Sequence, residues 1–444
     1  MKARYKTIVD EFASAIYSGE LMAGTRLPTH RQLSAEKHIS LATATRVYFE
    51  LESMGLVSGE TGRGTFVREI SLPPGLGIDQ HAIATDVLDL NFNYPALPDQ
   101  AELLRDALRQ LTTTGDIESL LRYQPHAGKL GERNIIASYL SSRGLLPSAE
   151  DVLIVNGAQH GLAVSVMGLL KPGDVMLVDA LTYPGFKILA GLFHLELIPI
   201  PITSQGPDLS FLTDICKKRR VRAIYTMPTM HNPLGWVLDL EQRKAIADIA
   251  KQHDLIIIED AAYAYLVDHP PRPIAFFAPE QTIYITGFSK NIATGLRVGA
   301  IVASQKYRAS LERAIRATTW NTPAIMTNIV CGWLLDGTIE RLEMQKREDA
   351  YSRQKLAREV LAPFPFISHP NSYFIWLPLT DEVRAEFVVK NLMGEHISVS
   401  TAEPFCTTQN APHAIRLALG SVSYENLHFA LTKIKKHIEY AQYL

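Results

Sequence analysis

TGFSKNIATGLRVG, Thr286 to Gly299, is the stretch on which the reading of this chain turns. It follows an apolar run, Thr282 to Ile285, that has the character of a strand. It sets Lys290 directly after the hydroxyl of Ser289 and ahead of Gly295, Arg297 and Gly299. An amine placed this way suits Schiff-base chemistry, and a cation on flexible backbone beside it suits a phosphate. A lone lysine is ordinarily a solvated surface charge, so the reading depends on what the rest of the chain supplies.

Four other segments supply parts of one chemistry. The apolar run Leu255 to Ile258 delivers Glu259 and Asp260 to the end of a buried strand, where a carboxylate can keep a pyridine nitrogen protonated. Tyr263 follows three residues later. HNPLG, His231 to Gly235, offers the amide of Asn232 in a turn fixed by Pro233 and Gly235. NGAQHGL, Asn156 to Leu162, passes from a strand into a helix, so that Gly157, Ala158 and Gln159 aim backbone N–H groups at an anion. Arg297 adds a bidentate contact for the same anion, and Tyr183 in LTYPGF is placed to stack on an aromatic ring. Taken singly, each is a helix cap, a turn or core packing. Their joint occurrence at strand ends of one sheet is what points to a cofactor.

Around these motifs the chain divides. Tyr5, Ile8, Val9, Phe12 and Ile16 recur at helical spacing. Leu27–Ser40 and Leu41–Gly55 read as two short helices about a turn near His38. Leu56–Val57 and Thr65–Val67 then alternate around Gly59, Gly62 and Gly64 as a glycine-tipped hairpin. This is a winged helix-turn-helix over residues 1–69, in which Arg31, Ser40, Thr43, Thr45, Arg46, Arg63 and Gly64 are the candidate DNA contacts. Residues 70–87, with Pro73-Pro74-Gly75, read as a linker. From residue 88 to 444 strands and helices alternate in an α/β pattern, which predicts a mostly parallel, doubly covered sheet; from about residue 347 the pattern changes to a smaller α+β domain.

The 444 residues, 47% hydrophobic and 20% charged, fit a folded chain of two or three domains. No apolar run approaches the ~20 residues of a membrane span, so cytoplasm is the expected location and no membrane partner is expected. The net charge of −2 excludes binding to nucleic acid by bulk charge, and residues 1–70 hold nine Lys/Arg against eight Asp/Glu. DNA contacts must therefore come from local placement. The only basic run, Lys217 to Arg220, reads as a solvated helix end. Cys216, Cys331 and Cys406 show no ligand spacing and read as reduced, buried thiols, with no metal site expected.

On these motifs, residues from about Leu88 onward resemble a fold-type I aminotransferase domain. With residues 1–67 in front, the whole chain resembles the MocR-type subgroup of GntR-family transcriptional regulators. The resemblance implies pyridoxal 5′-phosphate (PLP) as cofactor, joined to Lys290. Asp260 would pair with the pyridine nitrogen, and Asn232 and Tyr263 would hold the ring's 3-oxygen. Gly157, Ala158, Gln159, Ser289 and Arg297 would surround the phosphate, with Tyr183 on the ring face. It further implies that Tyr123, in LLRYQPHAG, reaches the phosphate of a neighbouring subunit in a homodimer. Arg416, in IRLALG, would grip the α-carboxylate of an amine or amino-acid effector. The functions implied are regulation at a double-stranded DNA operator, with an amine, an amino acid or PLP itself as signal, or else aminotransferase activity with an accessory DNA-binding domain. The departures are Gly287 where a hydroxyl residue is common, Leu234 in place of a threonine, Ala261 and Ala262 in place of polar residues, and Leu41 where many relatives carry a basic residue.

Overall fold

The computed structural model describes residues 4–442, apart from 19, 23, 55, 61–63, 68–86, 95–96, 98–99, 115, 381–382 and 409. Arg63 and nearly all of the linker at 70–87 lie outside the described residues. The N-terminal module consists of helices α1 (Arg4–Tyr17), α2 (His30–Glu36) and α3 (Leu41–Ser53) and a hairpin of β1 (Val57–Glu60) and β2 (Gly64–Val67). Local chemistry sets these boundaries. Thr29 and Gln32 form a reciprocal capping box at the start of α2. His38 takes φ 50° in the turn, and the Ser40 hydroxyl caps α3 by accepting from Thr43 N. The module has its own core, built on Ile8, Val9, Leu33, Val47, Leu51 and Val67.

The central sheet has seven strands: β4 (Val152–Val155), β5 (Val175–Asp179), β6 (Glu196–Ile200), β7 (Ala223–Thr226), β8 (Ile256–Asp260), β9 (Thr282–Gly287) and β10 (Gly299–Val302). Across the sheet they run β4-β10-β9-β8-β7-β5-β6, parallel except for β10, which is antiparallel to both neighbours. The strands are short and nearly continuously apolar because helices cover both faces. One such helix, α4 (Ala158–Leu169), comes close to β9 at Gly161, where a Cβ would sit 2.9 Å from Ile285 Cγ2.

Helix α5 (Thr338–Val360) starts earlier than the expected change near residue 347. It leads to a small sheet of β11 (Phe374–Pro378), β13 (Ser400–Thr401) and β14 (Ala414–Ala418) in the order β11-β14-β13, flanked by α6 (Ala385–Gly394). One feature departs from sequence order. The two-residue strand β3 (Leu88–Asp89) pairs in parallel with β12 (Ile397–Ser398), and Leu90 is buried in the core of this C-terminal domain. The chain thus contributes to the C-terminal domain before it enters the large sheet.

Where β9, β10 and the start of α4 converge, backbone packs on backbone. A Cβ at Gly299 would lie 2.7 Å from Thr286 O and 2.8 Å from Gly157 C, neither of which is a side chain that can rotate away. Gly299→Ala is expected to destabilise the fold by about 1–3 kcal/mol, the usual cost of overpacking. The urea midpoint of the cofactor-free protein would show it; an unchanged midpoint would refute this account of the junction.

Candidate cofactor and effector site

Alternation along β8 separates its two carboxylates. Glu259 turns to the far face and accepts from Ile274 N at 3.0 Å and Ala275 N at 2.8 Å, capping a short helix. Asp260 faces the cavity. Its Oδ1 accepts from Ala262 N and its Oδ2 from the Tyr225 hydroxyl, both at 2.9 Å. Burial pushes the Asp260 carboxyl up from its ordinary value, and these two neutral donors only partly offset that. A buried carboxylate held by neutral donors fits a protonated pyridine nitrogen as the cation that would complete it.

The cavity at the strand ends has a volume of about 680 Å3 and is lined by Ala158, Gln159, Tyr183, Asn232, Asp260, Tyr263, Ser289, Lys290, Arg297 and Arg416. That volume lies in the range of small-molecule sites. Gly157 takes φ 82° ahead of α4, and a Cβ there would meet Arg297 Nη2 at 3.0 Å. Arg297, itself at φ 51°, lies with Nη1 3.4 Å from Ser289 Oγ and Nη2 3.4 Å from Asn156 O. The first N–H groups of α4 have no intrahelical partners. Arginine, hydroxyl and helix start together fit a phosphate. The departure at Gly287 has a steric reason: a Cβ there would sit 3.1 Å from Ala158 N, within this cradle.

Lys290 Nζ donates to Asn93 O at 2.9 Å. Across the cavity Arg416 donates through Nη1 to Asn91 O and lies with Nη2 3.5 Å from Asn232 Oδ1; its guanidinium stands over the rings of Phe374 and Phe405. Tyr183 is largely enclosed, and its phenol is pushed up by burial and then by Asp260. Tyr263 packs edge-on against Phe374. Tyr123 is the exception. It is 85% exposed, stands beside Trp320 at a ring distance of 5.5 Å, and does not line the cavity of its own chain.

Several groups around the site carried no motif. Tyr225 holds Asp260 and stacks on Phe186 at 3.8 Å. Lys346, fully buried on α5, donates to Lys290 O at 3.0 Å and Ile292 O at 2.7 Å, and is pushed down to about 7 by burial and then by the charge of Lys290. Glu343, one turn earlier, accepts from Asn291 Nδ2, the Tyr139 hydroxyl and Arg143. The backbone carbonyls of Asn91 and Asn93 face the two cations, a role no side-chain pattern can signal.

In the N-terminal module, Arg31 and Thr45 are exposed, and Arg46 is exposed with its guanidinium 4.4 Å from the Tyr5 ring centre. Ser40 Oγ is also 2.7 Å from Thr43 Oγ1, and Thr45 Oγ1 donates to Leu41 O. The hydroxyls thus also shape the helix start. Gly64 takes φ 119° beside Arg26. Leu41, 49% exposed, and Phe49, 69% exposed, make this surface of α3 more apolar than cationic.

Residues 85–434 match the family model for aminotransferase class I and II, and residues 4–67 match that for bacterial regulatory proteins of the gntR family. An uncharacterized HTH-type transcriptional regulator of Bacillus subtilis, YdeF, is 27% identical over 94% of this chain and 90% of its own. A 2-aminoadipate transaminase of Thermus thermophilus is 27% identical over 75% of this chain and 85% of its own. Among solved structures, a kynurenine aminotransferase of Pyrococcus horikoshii, in complex with PMP, superposes with a TM-score of 0.75 at 23% identity, covering 80% of this chain and 92% of that one.

Proposed function

The chain belongs to the aminotransferase class I and II family and carries a gntR-type winged helix-turn-helix in front, and from that premise we propose that it is a transcriptional regulator whose DNA binding responds to an amine, an amino acid or PLP itself. The fold is that of PLP-dependent enzymes, and PLP is its cofactor. The observation that carries the reading is the meeting of Lys290, Asp260, Arg297 and Arg416 in one cavity of a chain that also holds a helix-turn-helix.

When bound, PLP supplies an aldehyde that condenses with amines and a ring that stores an electron pair. Lys290 would provide the resident amine and a base able to hold a proton beside the ring. Asp260 keeps a proton on the pyridine nitrogen, while Asn232 and Tyr263 donate to the 3-oxygen. Ser289, Arg297, Gly157, Ala158 and Gln159 hold the phosphate, and Tyr183 covers the ring. Arg416 takes a carboxylate in bidentate fashion, at which point Asn91 O gives up its donor. Exposed Leu121, Tyr123 and Trp320 support a homodimer in which Tyr123 serves the second copy's phosphate. Arg31, Arg46 and the residues around Ser40, Thr43, Thr45 and Gly64 face the operator.

The completeness of this set favours one other reading, a working aminotransferase with an accessory DNA-binding module. Fluorescence anisotropy with DNA from upstream of the gene, at fixed salt, separates the two. The regulator reading expects PLP-loaded and PLP-stripped protein to differ at least about tenfold in affinity, a coupling of ~1.4 kcal/mol. Equal affinities, together with multiple turnovers of an amino acid and a keto acid, would establish the enzyme instead.

A further inference from the structure

Arg384 lies at the start of α6, more than 300 residues from the N-terminal module, yet it is bonded to it. Its Nη1 donates to Asp10 Oδ1 on α1 at 2.8 Å and its Nε to Glu50 Oε2 on α3 at 3.2 Å. The guanidinium is 6% exposed, Glu50 15% and Asp10 30%, so water screens the Glu50 pair far less than an ordinary surface pair and the Asp10 pair less than one. Burial alone would push the guanidinium down, but the bonds and charges of Asp10 and then Glu50 more than reverse it. On the module's side, Glu50 lies one helical turn beyond Arg46 and also meets Tyr5, whose ring stacks under the Arg46 guanidinium. On the other side, Arg384 Nη1 is 3.2 Å from His413 Nε2. His413 directly precedes β14, the strand that carries Arg416 into the cavity.

We propose that Asp10, Glu50 and Arg384 form the docking surface by which the C-terminal domain holds its DNA-binding module, and that β14, with Arg416 in the cavity and His413 at its foot, ties this surface to the ligand site. Two ion pairs to different helices of the module fix its orientation as well as its proximity, since a single contact would leave it free to pivot. Buried charge pairs are weak sources of net stability but strong determinants of register, because a misaligned module leaves charges without their partners. The surface also sets the state of α3. Glu50, bonded to Arg384, also meets Tyr5, on whose ring the guanidinium of its i−4 neighbour Arg46 stacks, so the docking contact reaches the exposed cation of α3 through two side chains.

The docking half is tested without DNA, by hydrogen exchange on the full, PLP-loaded chain. Arg384→Gln is expected to raise amide exchange in α1 and α3 at least about fivefold while the central sheet and the cofactor absorbance stay unchanged. Asp10→Asn/Glu50→Gln, on the module's side, should do the converse and raise exchange in α6. Combining all three substitutions should add little, since they break the same contacts. Exchange confined to the substituted element, or effects that multiply, would overturn the docking surface. The coupling half rests on the regulator reading. If wild type binds upstream DNA differently with and without PLP, Arg384→Gln should shrink that difference to less than twofold; a difference that persists overturns the coupling and leaves the docking. A wild type with no difference overturns the coupling to PLP, leaves the regulator reading to an amine signal and its turnover test, and exchange alone then decides the docking.

Discussion

Lys290→Ala is expected to remove the visible absorbance of bound PLP and to slow any conversion of an amino acid at the site by at least ~10²–10⁴-fold, the range for loss of a general base. The same substitution should leave the fold almost untouched. The lysine side chain makes one bond, to Asn93 O, whereas the loop that carries it is held through its backbone. Lys290 O accepts from the Tyr265 hydroxyl and from Lys346, and Ile292 O accepts from Lys346 as well. All three bonds survive truncation of the side chain. Loss of the Lys290 charge also removes one of the two causes that push Lys346 down. The cofactor-free variant should therefore unfold within about 0.5 kcal/mol of wild type. A variant that keeps the absorbance of bound cofactor would refute the role given to Lys290; one that collapses without cofactor would refute the account of its loop.

How far the sequence carries such arguments differs from group to group. Lys290, Asp260, Asn232 and Arg297 line one cavity, and each stands at a strand end or a turn where its residue type is chemically informative; Arg416 lines it too, but from the middle of β14, where an arginine carries no local signal and only the family resemblance pointed to it. The strand beginning at Thr282 was legible for a similar reason, as a short apolar run ahead of a glycine turn, and β9 extends it only to Gly287. Strand β6 was hidden because ELIPI contains Pro199, which a central strand would not tolerate; β6 is in fact at the edge of the sheet, where the missing donor is harmless. Strand β10 was hidden in the tail of the lysine motif. It reverses direction between two parallel neighbours, a pairing that only long-range contacts determine. Glu343 and Lys346 lie in a highly charged helix, yet both are fully buried: Lys346 bonds the loop of Lys290, and Glu343 bonds Asn291 of that loop together with Tyr139 and Arg143. Charge patterning reports composition, whereas burial of a charge depends on what folds over it. The pairing of β3 with β12 joins residues about three hundred apart and leaves no local trace.

The sharpest test of the site is Asp260→Asn, because it should move affinity and stability in opposite directions. The substitution keeps the shape and one oxygen, so Ala262 N retains its acceptor. The Tyr225 hydroxyl, free to rotate, can accept from the new amide in place of donating to the carboxylate. What is lost is the negative charge. A hydrogen bond to a charged group contributes about 1.5–3 kcal/mol, so PLP affinity should fall roughly 10- to 150-fold. Amino acid conversion should slow by about 10²–10³, because charge that develops on the ring meets no preorganised partner. In the cofactor-free protein the same charge is a burden. Burial pushes the Asp260 carboxyl up, which means that the folded chain holds the ionised form less favourably than water does. Asparagine carries no such cost, and cofactor-free Asp260→Asn is expected to be as stable as wild type or up to ~1–2 kcal/mol more stable in urea. Glu259→Gln is the control. Its carboxylate caps the helix at Ile274–Phe277, so its loss should lower stability and leave PLP affinity alone. Asp260→Asn that weakens PLP and the fold together would mean that Asp260 is a structural carboxylate like its neighbour. Opposite signs would mean that the charge is maintained against the interests of the fold, for a cation that the fold itself does not supply.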